Sequence, residues 1–196
     1  MPAWIGQRLI ILLPHEDPVF AQGKPYVVIE PGNKFGTGAH ATTRICLTIL
    51  ERILEKYQTI LDVGTGTGIL ALYAAGVGAE YVVAVDQDLE ACKVCQHNFV
   101  KNSQGEKVRV INGRIDAVSQ SKLFDIVIAN LESDILIHVI PALKAYVKPH
   151  GFVVISGAPA ISKEDFTGFL EASTLKVLSS VTEGEWAGFL ATPSYT

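Results

Sequence analysis

From residue 60 onward, short continuous apolar runs alternate with longer segments of helical spacing. TILDV, YVVAVD, KVRVING, FDIVIAN and GFVVISG read as buried strands, because a strand covered on both faces shows no polar alternation. Between them, GILALYAAGVGA, the stretch from Leu89 to about Asn102, SDILIHVIPALKAYV and SKEDFTGFLEAS read as helices. Glycines end the first of these helices, Asp88 is the predicted N-cap of the second, and Ser162 is that of the last. Pro141 falls inside the third and predicts a bend. The tail, LKVLSSVTEGEWAGFLATP, reads as two strands around a Glu-Gly turn. Upstream, HATTRICLTILERILEKY has apolar positions near i, i+3, i+4 and i+7 and reads as a helix packed on the sheet. Strands alternating with helices predict an α/β fold with a seven-stranded, mostly parallel sheet closed by an antiparallel C-terminal strand. Residues 1–30 are too few for a domain of their own. They are expected to form an N-terminal extension, with one strand in RLIILL and another in YVVIE, ahead of a domain at 31–196.

Composition narrows the function classes. The chain has 196 residues, 48% of them hydrophobic and 18% charged, which is a globular balance. The formal net charge is −4 and no basic run stands out. Direct binding to nucleic acid phosphates is therefore not expected. The start, MPAWIGQRLIILLPHEDP, lacks the pattern of a signal peptide. The apolar stretch from Leu61 to Ala79 is broken by an aspartate, threonines and glycines, so it is not a membrane span. The three cysteines, Cys46, Cys92 and Cys95, fit a reducing compartment, and a cytoplasmic protein is expected. Cys92 and Cys95 form a C-x-x-C on a predicted helix without a second ligand pair, so core packing and no metal is the reading.

The candidate chemistry lies at strand ends. Asp62, Gly64, Thr65, Gly66 and Gly68 join the first core strand to its helix, where open α/β sheets bind ligands. Asp86, followed by Gln87, ends the next strand, 22 residues beyond Gly64. A carboxylate there can hold the hydroxyls of a ribose. The spacing is G-x-G-x-G, with Ile69 where a dinucleotide fingerprint needs glycine or alanine, and there is no phosphate-binding G-x-x-x-x-G-K. The pattern fits S-adenosyl-L-methionine, whose ammonium and carboxylate can be met by backbone groups and a nearby acid. Gly113, Arg114 and Ile115 follow the third strand and are expected to flank adenine, with Asp116 as a candidate partner for its amine and turn capping as the alternative reading. Asn130 ends the fourth strand and can accept a hydrogen bond from an acceptor amine. The following NLES has no prolines, which argues against base amines or glutamine amides as acceptors. Ahead of the core, KFGTGAHATT offers a second glycine loop at a helix start, whose N–H groups favour a carboxylate. Thr43 and His40 are its candidate catalytic residues, and helix capping is the alternative reading of both.

EPGNKFGTGAHATTRICL, LDVGTGTGILALYAAGVGA, FDIVIANLES and EGEWAGFLA resemble the PrmA family, bacterial methyltransferases that trimethylate amino groups of ribosomal protein L11. The resemblance spans essentially the whole chain, including WIGQRLIILLPHEDP, which resembles that family's interdomain linker. It implies a class I S-adenosylmethionine-dependent methyltransferase fold with a Rossmann-like sheet. It implies that Phe35, Gly36, Thr37, Gly38 and Thr43 contact the cofactor or shape its pocket, and the same for Asp62, Gly64, Gly66, Asp86 and Asn130. It implies a protein substrate, a ribosomal protein among the candidates, with S-adenosyl-L-homocysteine as the product. Family members carry a separate N-terminal docking domain, whereas this sequence begins in the linker-like segment, so a docking partner in trans is a further expectation. Ala41 stands where the family has proline. Glu132 and Ser133 stand where it favours small or apolar residues. Glu132 is read as a solvated loop residue, with attraction of a cationic amine as the alternative. A small-molecule methyltransferase and a non-catalytic binding subunit are the competing functions.

Overall fold

A computed structural model describes residues 4–31, 38–56 and 58–194. Seven strands form one sheet: β4 (Thr59–Val63), β5 (Tyr81–Asp86), β6 (Val108–Asn112), β7 (Phe124–Asn130), β8 (Val147–Pro159), β9 (Leu175–Glu183) and β10 (Trp186–Pro193). Their order is β6-β5-β4-β7-β8-β10-β9. The first five run parallel, and β10 lies antiparallel between β8 and β9. The chain builds outward from β4 to β6, then returns to β7 on the other side. The switch point therefore lies between β4 and β7, where such sheets open a crevice at their carboxyl ends.

Side-chain alternation divides the core into two layers. Ile60, Val82, Ala84, Ile126, Ile128 and Val154 face α1 (Ala41–Ile53), α2 (Ile69–Val77) and α3 (Leu89–Lys101). Leu61, Val63, Val83, Val85, Val127, Val153 and Ile155 face α4 (Ser133–Leu143) and α5 (Lys163–Ala172). The period of two places neighbouring strand residues in opposite layers. The helices follow local signals. Asp88 caps α3 by accepting from the Glu90 N–H at 2.9 Å. Ser162 sits at the N-cap of α5 but makes no side-chain capping bond, and Glu164 and Asp165 supply the negative charge of the first turn instead. Pro141 lies inside α4, which stops at Leu143. β8 then begins at Val147, well before the predicted GFVVISG run, because Val147 pairs with Phe124 of β7.

The N-terminal segment makes a second, three-stranded sheet from β1 (Trp4–Ile5), β2 (Ile10–Leu12) and β3 (Tyr26–Val28). The two predicted strands are β2 and β3; β1 is additional. β2 and β3 are parallel. Leu9, Ile11, Val27 and Ile29 join the core formed by α1 to α3, while Ile10, Leu12 and Ala21 close a small cluster of their own. One face of this segment thus packs on the main core, through Leu9, Ile11, Val27 and Ile29. Among the described residues, no helix is long and apolar enough to cross a membrane.

Candidate functional site

The carboxyl ends of β4 to β8, the starts of α1 and α4 and the start of β10 surround a cavity of about 740 Å³. That volume lies within the range of small-molecule sites. One half is built by the loop after β4. At Gly64, φ is +71°, and a Cβ would stand 2.1 Å from Leu131 Cδ2. Glycine is what lets the loop meet the turn after β7. The Thr65 hydroxyl donates to Asp62 Oδ2 at 2.6 Å, and the Gly66 N–H donates to Asp86 Oδ2 at 2.9 Å. The loop is thereby tied to a carboxylate at the end of each central strand. Asp86 Oδ1 accepts from the Asp88 N–H at 2.9 Å. Each carboxylate oxygen has two acceptor positions, so Asp86 keeps capacity for a diol.

Asp62 shares the strand face of Ile60, which turns it into the α1–α3 layer near Cys46 and Cys95. Only 2% of it is exposed. Burial pushes its carboxyl up to about 6; the Thr65 hydroxyl opposes this, and the charge of Asp86 adds to it. A buried carboxylate is stabilised by a cation, which makes this end of the cavity suited to an ammonium group. The cysteines are free and buried, and burial pushes the Cys95 thiol up to about 12. Among the described residues, no group of three His, Cys, Asp or Glu side chains could hold a metal ion.

Gln87, Gly113, Arg114 and Ile115 continue the lining along β5 and β6. Asn112 fixes their spacing by donating from Nδ2 to the carbonyls of Asp86 at 3.1 Å and Gln87 at 2.9 Å. Asp116 is exposed and does not line the cavity. The lining can take an ammonium group at Asp62, a ribose at Asp86 and an apolar ring beside Ile115 and Val85, which are the parts of S-adenosyl-L-methionine.

The other half comes from distant parts of the chain. Asn130 Nδ2 lies 3.5 Å from Thr43 Oγ1, across 87 positions of sequence. That donation leaves the amide oxygen of Asn130 as the acceptor. His40 is the N-cap of α1, with Nδ1 2.8 Å from Thr42 Oγ1. Its ring meets Trp186 at a centroid distance of 5.3 Å. Glu132, Asp134 and His138 also line this half, and all three are exposed. Glu132 is therefore both solvated and at the cavity wall. Gly157 on β8 has φ +114°, and a Cβ there would lie 1.8 Å from the Leu131 carbonyl oxygen. The turn after β7 is thus seated between Gly64 and Gly157.

Not every predicted residue reaches the cavity. Gly68 is the N-cap of α2 and faces Cys95; neither it nor Gly38 lines the cavity. Phe35, Gly36 and Thr37 lie outside the described residues. Trp186, Asp134, His138 and Gly157 were not predicted as site residues. Trp186 and Gly157 carry no local signal of a site, since their place depends on how β10 and β8 pair. For Asp134 and His138, the start of α4 directly after Asn130 was the available clue.

The sequence profile of the family described as ribosomal protein L11 methyltransferase (PrmA) matches residues 1–193. Relatives named ribosomal protein L11 methyltransferase include one from Desulforamulus reducens, 36% identical over 96% of this chain and 61% of its own length. Another, from Alkaliphilus metalliredigens, is 35% identical over 95% of this chain and 58% of its own length. The chain thus spans about three fifths of the length of these curated relatives. The crystal structure of a ribosomal protein L11 methylase from Lactobacillus delbrueckii subsp. bulgaricus is similar, with a TM-score of 0.87, 26% identity and 99% of each chain covered. An S-adenosylmethionine-dependent methyltransferase from Clostridium acetobutylicum shares the fold, with a TM-score of 0.65 and 17% identity over 80% of this chain and 93% of its own. The chain belongs to the ribosomal protein L11 methyltransferase (PrmA) family.

Proposed function

We propose that this chain transfers a methyl group from S-adenosyl-L-methionine to an amine nitrogen of a protein, with a ribosomal protein as the substrate. The observation that carries this reading is the division of one cavity into two halves. Asp62 and Asp86 stand at one side, and the Asn130–Thr43 pair stands at the other. When bound, the cofactor supplies a methyl group made electrophilic by its sulfonium. Asp62 would hold the ammonium group of the cofactor and Asp86 its ribose hydroxyls. The Asn130 oxygen would accept from the acceptor amine and hold its lone pair in line. Such positioning is a principal source of acceleration for a displacement that needs little acid–base help. The amine must arrive neutral, since an ammonium has no lone pair, and its proton then leaves to solvent.

The mouth favours a long cationic side chain. Trp186 lines this half, and an indole ring attracts a cation placed over its face. Glu132 and Asp134 add negative charge at the rim. Recognition of the rest of the protein substrate by a partner acting in trans belongs to the same reading, and copurification tests it.

The decisive experiment incubates the purified chain with methyl-labelled cofactor and, separately, ribosomal protein L11 and free small amines. Label in the protein is the expected result. Label only in a small amine would replace the protein acceptor with a small molecule. Cofactor binding without transfer to any acceptor would mark a non-catalytic binding subunit.

A further inference from the structure

Asn98 on α3 and Asn102 at its C-cap lie four residues apart, a rise of about 6 Å. Val28 and Glu30 lie two apart on extended chain, a rise of about 6.6 Å. The spacings match, and each asparagine amide pairs with one of these residues as a neighbouring strand would. Asn102 Oδ1 accepts from the Val28 N–H at 2.8 Å, and its Nδ2 donates to the Val28 carbonyl at 2.7 Å. Asn98 Oδ1 accepts from the Glu30 N–H at 2.7 Å, and its Nδ2 donates to the Glu30 carbonyl at 3.1 Å.

The two pairs differ in where the second amide proton goes. Asn102 Nδ2 turns back to the Asn98 carbonyl at 2.8 Å. Asn98 Nδ2 donates to the carbonyl of Thr67 at 2.8 Å. Thr67 belongs to the glycine loop, lines the cavity and is 2% exposed. Asn98 itself is fully buried and does not line the cavity. A side-chain amide has two donors. One is given to the N-terminal segment and the other to the loop.

We infer that Asn98 is a positioning residue of the cofactor site, fixing the Thr67 end of the 64–68 loop and coupling it to the seating of residues 28–30 on α3. The ligand-binding arm of this inference rests on the cofactor reading given above. In water-free surroundings an unpaired amide or carbonyl is costly, so the three bonds hold or fail together. Asn102 is the internal control, since it makes the same strand-like pair without touching the loop.

The test compares Asn98→Ala and Asn102→Ala with the wild type, by calorimetric titration with S-adenosyl-L-homocysteine and by hydrogen exchange on the ligand-free protein. The Gly68 N–H, which donates to the Thr65 carbonyl at 2.8 Å, reports the loop. Asn98→Ala is expected to weaken binding about tenfold and to speed exchange at Gly68 and Glu30 together. Asn102→Ala is expected to lose a comparable amount of Tm, speed exchange at Val28 and weaken binding less than about threefold. Equal loss of binding in the two variants at equal Tm overturns the inference, as does unchanged binding and Gly68 exchange in Asn98→Ala. Should Asn98→Ala not fold, Asn98→Asp keeps the acceptor for the Glu30 N–H and the side-chain volume but loses both donations, to the Thr67 and Glu30 carbonyls. The same expected and overturning results apply to it. If the wild type does not bind the product, the cofactor reading fails, and the exchange comparison still decides the role of Asn98.

Discussion

The two halves of the cavity are built in different ways. The half around Asp62, Gly64, Gly66 and Asp86 comes from two consecutive strands and the glycine loop after the first of them, within 25 residues of sequence. The half around Asn130, Thr43, His40 and Trp186 comes from three segments spread over most of the chain: the start of α1, the end of β7 and the start of β10. A site made locally is set by backbone chemistry, so it tolerates little change at its glycines and strand-end acids. A site made from afar is set by packing, through the pairing of β7, β8 and β10 and the seating of α1 on them. Cofactor binding and acceptor choice are expected to separate when each half is perturbed alone.

The largest effect is expected from the acceptor half. Asn130→Ala should lower turnover about a hundredfold while leaving the dissociation constant for S-adenosyl-L-homocysteine within a few-fold of wild type. Steady-state kinetics beside calorimetry check this, and a comparable loss of cofactor binding would erase the division between the halves.

Asp62→Asn should act on the opposite half and with the opposite pattern, weakening cofactor binding roughly tenfold. The same substitution should leave stability unchanged or raise it near pH 7, because it removes a buried carboxylate. The sign follows from the direction of the shift. The folded protein holds the Asp62 proton up to about pH 6, against an ordinary value of 3.8. This group's contribution to stability is therefore fully present below about pH 3.8 and is lost as pH rises through about 6. Cofactor affinity should run the other way, falling as pH drops below about 6, because the ammonium requires the carboxylate. Urea melts and titrations from about pH 3.5 to about 7.5 test both slopes, and Asp62→Asn should flatten each.

Gly157→Ala probes the seam between the halves. A side chain there meets the Leu131 carbonyl in a backbone region that disfavours it. A loss of about 2–3 kcal/mol in denaturant unfolding is expected, with both binding and turnover impaired. A selective loss of one would assign the Leu131 turn to a single half. The smallest effect is expected at the rim. Glu132→Gln should raise the KM for a lysine-bearing acceptor about twofold to threefold, with the difference shrinking as salt is added. A salt-independent change would mean that Glu132 acts by shape rather than by charge.

How far the sequence was legible follows the same division. The five parallel strands, the Asp88 cap and the turn before Trp186 are written in local patterns, and the structure has them. The end of α4 and the early start of β8 were not legible, because Val147 is a strand residue only by virtue of pairing with Phe124. Likewise Leu9, Ile11, Val27 and Ile29 read as an extension, yet their alternating side chains enter the main core against α2.

By itself, the sequence determined the order of strands and helices, the glycine turn after TILDV and the acids that end the first two core strands. Those features depend on φ, on side-chain period and on near neighbours, all of which are local. The tertiary structure alone decided that Asp62 is buried against Cys46 and Cys95, that Asn130 meets Thr43, and that Trp186 stands beside His40. It also decided that one amide of α3 ties the N-terminal segment to the glycine loop. Each of these depends on which strands pair and which helix covers them, and no spacing along the chain encodes that.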